Sequence, residues 1–189
     1  RTFLGAIYPI PLYDVEFTVD QALVWAISRQ ESGFNPRAKS RARAAGLMQI
    51  MPSTASFVTK NRALRGRDKH LLLNPQRNLE IGQAYINKLL KEPLIDRSIV
   101  RLLAAYNGGP GNLRKWLARV DHQDDPFLLI ESIPARETRH YIKNVISNLA
   151  LYRMQLGQPA PELRELAAGG QGRFVSLFTP LMLDSSGGS

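Results

Sequence analysis

Apolar positions recur at three- and four-residue intervals along most of this chain, with no long alternating run, so the pattern predicts helices and not strands. Leu23, Ile27 and Glu31 share one face of a first helix. It starts behind a cap at Thr18 or Asp20 and stops at Gly33, before Asn35-Pro36. Residues 34–45 form a basic polar loop, and 46–60 a turn and a short helix entered at Pro52. Asn74-Pro75 opens a helix to about Glu92, with Leu79, Gly82, Tyr85, Ile86, Leu89 and Leu90 in period. Asp96 or Ser98 caps the next, through Ile99, Leu102, Leu103 and Tyr106 to a break at Asn107-Gly108-Gly109-Pro110-Gly111. A short helix over about 111–119 carries Leu113, Trp116 and Leu117. Residues 121–125 read as a polar loop. Pro134 then opens a long helix over about 135–156, with Tyr141, Ile142, Val145, Ile146, Leu149 and Tyr152 inside.

The ends differ from the middle. Residues 1–17, with Pro9 and Pro11, read as an extended arm laid over a core. Beyond Gly157 a short helix near 162–167 and a glycine-rich break precede an apolar stretch from Phe174 to Leu183, suited to dock as a strand or arm. The tail 185–189 reads as linker. The expected organisation is an N-terminal arm or junction over 1–20, a helical domain over 21–157, and a C-terminal extension and flexible tail over 158–189. The fold class is mainly α, with extended N- and C-terminal arms. The chain opens at Arg1 without a long apolar leader, which reads as a processed or excised piece.

Composition narrows the chemistry. The 189 residues hold no cysteine, which removes disulfides, zinc thiolates, iron–sulfur clusters and cysteine nucleophiles together. His70, His122 and His140 are isolated, and Asp121, Asp124 and Asp125 lack the glycine and terminal glutamate of a calcium loop, so no metal and no cofactor is expected. Ser32 lacks a nucleophile elbow, and the glycines at 108, 109 and 111 lack the Lys-Ser/Thr of a phosphate loop. Against 16 Asp+Glu stand 25 Lys+Arg, a net charge of +9, which favours an anionic partner: nucleic acid, membrane surface or an acidic wall polymer. Eight Lys/Arg and no acid fall between Ser32 and Arg67. No stretch reaches the roughly 18 apolar residues of a membrane helix, and no recognition-helix or single-strand-binding signature supports a nucleic-acid partner.

Glu31 is the candidate for catalysis. It ends an apolar stripe in the last turn of its helix, where burial and the helix dipole both disfavour the charged form. A carboxyl so placed suits a general acid. The same position also suits an ordinary glutamate fraying into water.

Three separated motifs decide between these readings. Glu31-Ser32-Gly33-Phe34-Asn35-Pro36 continues through Ala38, Ser40 and Gly46-Leu47-Met48-Gln49-Ile50-Met51-Pro52 to Thr54-Ala55. Ala105-Tyr106-Asn107-Gly108-Gly109-Pro110 follows, then Ile133-Pro134, Glu137-Thr138-Arg139 and Tyr141. Together they resemble the catalytic domain of the soluble lytic murein transglycosylases, over about 22–150. The resemblance implies a single goose-lysozyme-like helical domain. The implied activity is a peptidoglycan lytic transglycosylase, which cleaves the MurNAc-β-1,4-GlcNAc bond and leaves 1,6-anhydro-MurNAc. Glu31 would be its one acid/base. Ser40 and Gln49 would position the acetamido group or the carboxyl, Met48 and Tyr106 would wall the groove, and Asn107, Glu137 and Tyr141 would complete its polar side. By residue type alone, Met48 fits a core as well as a groove. Asn107 fits a helix end, and Glu137 a first-turn carboxylate favoured by the dipole.

The implied partner is the peptidoglycan glycan strand, met as a monomer in the periplasm. The alternatives are a hydrolytic muramidase on the same fold and a non-catalytic peptidoglycan-binding module. One departure stands out: where the family usually has Gly-Ala, this chain has Arg43-Ala44. Arginine makes a positive φ costly, so a re-shaped loop is expected there.

Overall fold

The computed structural model describes residues 7–119 and 124–177. The expected start of the N-terminal arm (1–6), Asp121 and His122 of the polar loop, and the apolar stretch and tail from 178 onward lie outside the described residues. Eight helices carry the described fold: α1 (Gln21–Ser32), α2 (Pro52–Thr59), α3 (Pro75–Leu90), α4 (Ile99–Gly108), α5 (Pro110–Arg119), α6 (Pro126–Ser132), α7 (Arg136–Gln155) and α8 (Pro161–Ala167). Two short 3-10 turns, Arg62–Arg65 and Lys69–Leu73, link α2 to α3. No strand is formed among the described residues. Lys39–Ala45, Ala45–Ile50 and Ser98–Arg173 meet as isolated antiparallel bridges.

The caps explain the boundaries. Asp20, and not Thr18, accepts from the Leu23 amide at 3.2 Å. Asn74 caps α3 ahead of Pro75, and Ser98, not Asp96, caps α4. Helix α6 departs from the sequence expectation. Asp125 accepts from the amides of Phe127 (2.7 Å) and Leu128 (3.1 Å), and Pro126 occupies the first turn. Asp125-Pro126 is the same signal as Asn74-Pro75.

Helix α1 is the axis of the core. Leu23, Val24, Trp25, Ala26 and Ile27 are fully buried, and α1 packs most extensively against α7. Helix α4 lies on α5 and α7 through Leu102, Leu103 and Ala105, also fully buried. Fully burying side chains of this size contributes about 1.5–3 kcal/mol each. The N-terminal arm runs over this core. Tyr13 and Phe17 stack on Trp25, and Gln83 of α3 accepts from the amides of Thr18 and Val19. Residues 158–177 also pack onto the helices. The Ile99 amide donates to Gly172, the Phe174 amide donates to Arg97, and Phe174 is buried.

Behind the N-terminus of α1 lies a buried ion cluster. Arg153 donates to Glu162 at 2.6 Å, to Asp20 at 3.2 Å and to the Val175 carbonyl at 3.0 Å. Asp20 also accepts from the Leu177 amide at 3.0 Å. All three charged side chains are fully buried.

Candidate active site

Glu31 stands in the last turn of α1, half-buried, above the fully buried Leu23 and Ile27. Gly33 stops the helix in the left-handed conformation (φ 56°), its amide donating to Arg29. Phe34 stays left-handed (φ 65°) and is held by edge-on contacts with Trp25 and Tyr152. Ser32 donates to the Leu47 carbonyl at 2.8 Å, which fastens the Glu31 turn to the loop carrying Met48 and Gln49.

That loop is organised by Asn78 of α3. Its amide donates to the carbonyls of Ala45 and Leu72, both at 2.8 Å, and its oxygen accepts from the Met48 amide at 2.8 Å. Gly46 turns at φ 79° against Asn78 and the Leu72 carbonyl, where any Cβ would collide. Gln49 is left-handed (φ 47°), and its amide nitrogen bonds the carbonyls of Gly46 (2.9 Å) and Ala38 (3.2 Å). Its nitrogen therefore builds the loop, and its oxygen carries no bond among the described residues.

Ser40 is exposed at the start of a tight turn, where it accepts from the Ala44 amide at 3.0 Å. Arg43 adopts φ 70° in that turn. The turn holds a glycine-like backbone at Arg43, at a cost of roughly 1–2 kcal/mol for a residue with a Cβ.

Facing Glu31 are residues from α4 and α7. Tyr106 is buried and donates to the Met48 carbonyl at 3.0 Å. Tyr85 of α3 stacks on it with ring centroids 5.4 Å apart. Tyr141 is buried beside the Glu31 carboxyl and influences its titration, yet its hydroxyl makes no hydrogen bond of ordinary geometry. Asn107 accepts from the Thr138 hydroxyl at 2.7 Å through its side-chain oxygen, which leaves its amide nitrogen available as a donor. Glu137 is exposed, and its charge is felt at Glu31.

Met48 needs correcting as a groove wall. Its side chain is fully buried and sealed against Gly82, where a Cβ would strike the sulfur. Its backbone carbonyl contributes to the site instead, by holding Tyr106.

Burial pushes the Glu31 carboxyl up from 4.5 to about 7. Tyr141 lowers it somewhat and the Glu137 charge raises it. The nearest arginine in sequence gives no relief. Arg29 turns to the opposite side, donating to the Ile7 carbonyl at 2.7 Å and covering the Tyr8 ring. Burial, then the Glu31 charge, push the hydroxyls of Tyr106 and Tyr141 well above their ordinary 10, so both stay neutral. The site thus joins an acid that is protonated near neutrality with neutral donors around it. Among the described residues, no group of three histidine, aspartate or glutamate side chains is placed to hold a metal.

Asn78 escaped the sequence reading, which also gave Ser32 and Thr138 no role beyond membership of their motifs. Asn78 sits four residues before Gly82 on the apolar stripe of α3, and a polar residue on a core stripe is the signal that would have found it.

The fold is a lysozyme-like helical domain with one desolvated glutamate at a helix end. The family model described as "Transglycosylase SLT domain" matches residues 12–127. The chain belongs to that family. It is 40% identical over 141 residues to the soluble lytic murein transglycosylase of Salmonella typhimurium, covering 74% of this chain and 22% of that protein. Its fold matches the 70 kDa soluble lytic transglycosylase of Escherichia coli with a TM-score of 0.66 and 37% identity, over 83% of this chain and 24% of that one. It matches lytic transglycosylase Slt of Pseudomonas aeruginosa, solved as an inactive glutamate-to-glutamine mutant, with the same TM-score and 31% identity, over 85% and 24%. The chain therefore spans less than a quarter of the length of these relatives.

Proposed function

We propose that this chain is the catalytic domain of a peptidoglycan lytic transglycosylase that works in the periplasm as a monomer and without a cofactor. The observation that carries the reading is Glu31, a carboxyl held near pKa 7 with no cation beside it among the described residues. Family membership and the relatives' printed activity support it, as does the inactivity of a glutamate-to-glutamine relative.

Protonated Glu31 donates to the leaving GlcNAc oxygen. The resulting carboxylate takes the proton from the muramyl 6-hydroxyl as that oxygen closes on the anomeric carbon. One carboxyl thus serves both steps, where ordinary glycosidases use two. The substrate's acetamido oxygen assists, and Asn107, Tyr106, Tyr141, Ser40 and the Gln49 oxygen position the sugar. Mass spectrometry of products from purified murein tests this. The expected muropeptides are lighter by one water than hydrolysis products. Products carrying the water would overturn the reading and move Glu137 into the role of a base. An intact, unprocessed substrate would favour a wall-binding module.

A further inference from the structure

Two successive peptide units of the loop after Gly46 are held from outside the loop. The first joins Leu47 to Met48. Its carbonyl accepts from the Ser32 hydroxyl at 2.8 Å, closer than the 3.1 Å to the Ser28 carbonyl within α1. Its amide donates to the Asn78 side-chain oxygen, also at 2.8 Å. The second unit joins Met48 to Gln49, and its carbonyl accepts from the Tyr106 hydroxyl at 3.0 Å. The neighbour of Glu31 and a tyrosine of the cleft thus meet on backbone that Asn78 holds. Asn78 is fully buried, and both its donors are spent on the carbonyls of Ala45 and Leu72. It cannot turn without leaving a buried carbonyl bare, so the Met48 amide has one place to be. Gln83, further along α3, is equally buried but serves another part of the chain. It accepts from the amides of Thr18 (2.7 Å) and Val19 (3.2 Å) and donates to the Glu16 carbonyl at 3.1 Å. One helix therefore carries two buried amide clamps, one on the N-terminal arm and one on the loop beside Glu31.

We propose that Asn78 is a positioning residue for the reaction: through the Leu47–Met48 peptide it sets the Glu31 turn, and through the Met48 carbonyl it sets Tyr106. The inference rests on the transglycosylase reading and adds to it a residue that acts without touching substrate. The peptide unit is the bridge. Oriented by Asn78 at its amide, it presents its carbonyl to Ser32, one residue from the acid. Hydrogen bonds at the two ends of one peptide polarise each other, so each is stronger while the other stands. The groups that face Glu31 then keep their places: Tyr141 and Glu137 from α7, and Tyr106 from α4 with Tyr85 of α3 behind it. A general acid must lie within about 2.6–3.2 Å of the oxygen it protonates, and a misplacement of about 1 Å costs on the order of 10²-fold in rate.

The test measures kcat, KM and the pH profile on soluble glycan strands, per folded molecule. Asn78→Ala should lower kcat about 10- to 100-fold, with KM changed by less than about threefold. The loosened turn admits water to Glu31, so the declining limb of activity should move from about pH 7 to lower pH. Ser32→Ala should move both in the same direction by less. The double variant should fall no further than Asn78→Ala alone, because both bonds serve one peptide. Asn78→Asp keeps the acceptor for the Met48 amide and should recover part of the lost kcat. Gln83→Ala removes the other clamp and should lower the melting temperature while kcat and the limb stay in place. An unchanged kcat and limb in Asn78→Ala would overturn the proposal and leave Asn78 a core tie, as would an equal kcat loss in Gln83→Ala. If Asn78→Ala does not fold, Ser32→Ala and Asn78→Asp decide it, and parent-like kcat and limb in both would overturn it. Product mass keeps the two readings apart. Products carrying water would sink the transglycosylase reading, while the positioning role would still stand or fall on these rates.

Discussion

Two carboxylates sit at opposite ends of α1 and meet opposite treatment. Asp20, at the N-terminal end, is fully buried and answered by the Arg153 guanidinium and the amides of Leu23 and Leu177. Glu31, at the other end, has no cation and no bonded amide among the described residues. It faces a tyrosine hydroxyl that makes no proper bond and a second carboxylate, Glu137. The helix dipole adds to the contrast, since its N-terminus favours a negative charge and its C-terminus opposes one. Burial alone thus does not decide what a carboxyl does. Partners turn the buried Asp20 into a tie between segments, and their absence leaves Glu31 protonated up to about pH 7.

The largest expected effect is at the unanswered end. Glu31→Gln should lower turnover by at least the 10²–10⁴-fold that general acid catalysis contributes, with circular dichroism unchanged. Retention of more than about a tenth of the parent rate would place the acid elsewhere.

At the answered end, Arg153→Met should leave two buried carboxylates without their cation. Breaking such a pair costs about 3–5 kcal/mol, so thermal melting should drop sharply. Specific activity of the folded fraction at low temperature should hold. A small shift in melting would mean that water reaches Asp20 and Glu162 and relieves them.

The smallest effects come from titration. The Glu31 pKa is raised from 4.5 to about 7, so the folded protein binds this proton more tightly than the unfolded chain. Stability therefore falls as pH rises across that interval and is level above it. The melting advantage of Glu31→Gln over the parent should grow from pH 4.5 to 7 and then stop growing. Activity should decline as pH rises through about 7. Tyr141→Phe removes the influence that lowers this pKa, so the declining limb should move to slightly higher pH. A limb that stays put or moves to lower pH would show that the hydroxyl does not act on Glu31.

Local signals in the sequence reached far into this site. The apolar stripe ending at Glu31, the glycine stop behind it and the three motifs brought Glu31, Tyr106, Asn107 and Tyr141 to one place, because each motif sits at a helix end facing the cleft. What stayed hidden depends on pairings distant in sequence. Asn78 acts on a loop 30 residues away, and Arg153 on Asp20 133 residues away. No periodicity encodes either. Met48 shows the opposite limit, since a motif fixes the residue and its backbone but not where the side chain points. Arg43 shows a third: propensity argued for a different turn, yet the amide and hydroxyl of Ser40 on Ala44 and the bridges at Ala45 hold the backbone left-handed.

The closure made by residues 158–177 bears on how this unit travels between proteins. The family match ends at residue 127, before Tyr141, Arg153 and Glu162. A gene fragment cut at that edge would keep the acid but lose the α7 wall and the Arg153 cation that answers Asp20 at the head of α1. The folded unit thus extends beyond the residues that the family model matches. Its last segment works as a clasp, joining the chain beyond Gly157 to the first helix and to the start of α4. A fusion carrying this domain therefore keeps Asp20 and the start of α4 anchored only if it includes the clasp.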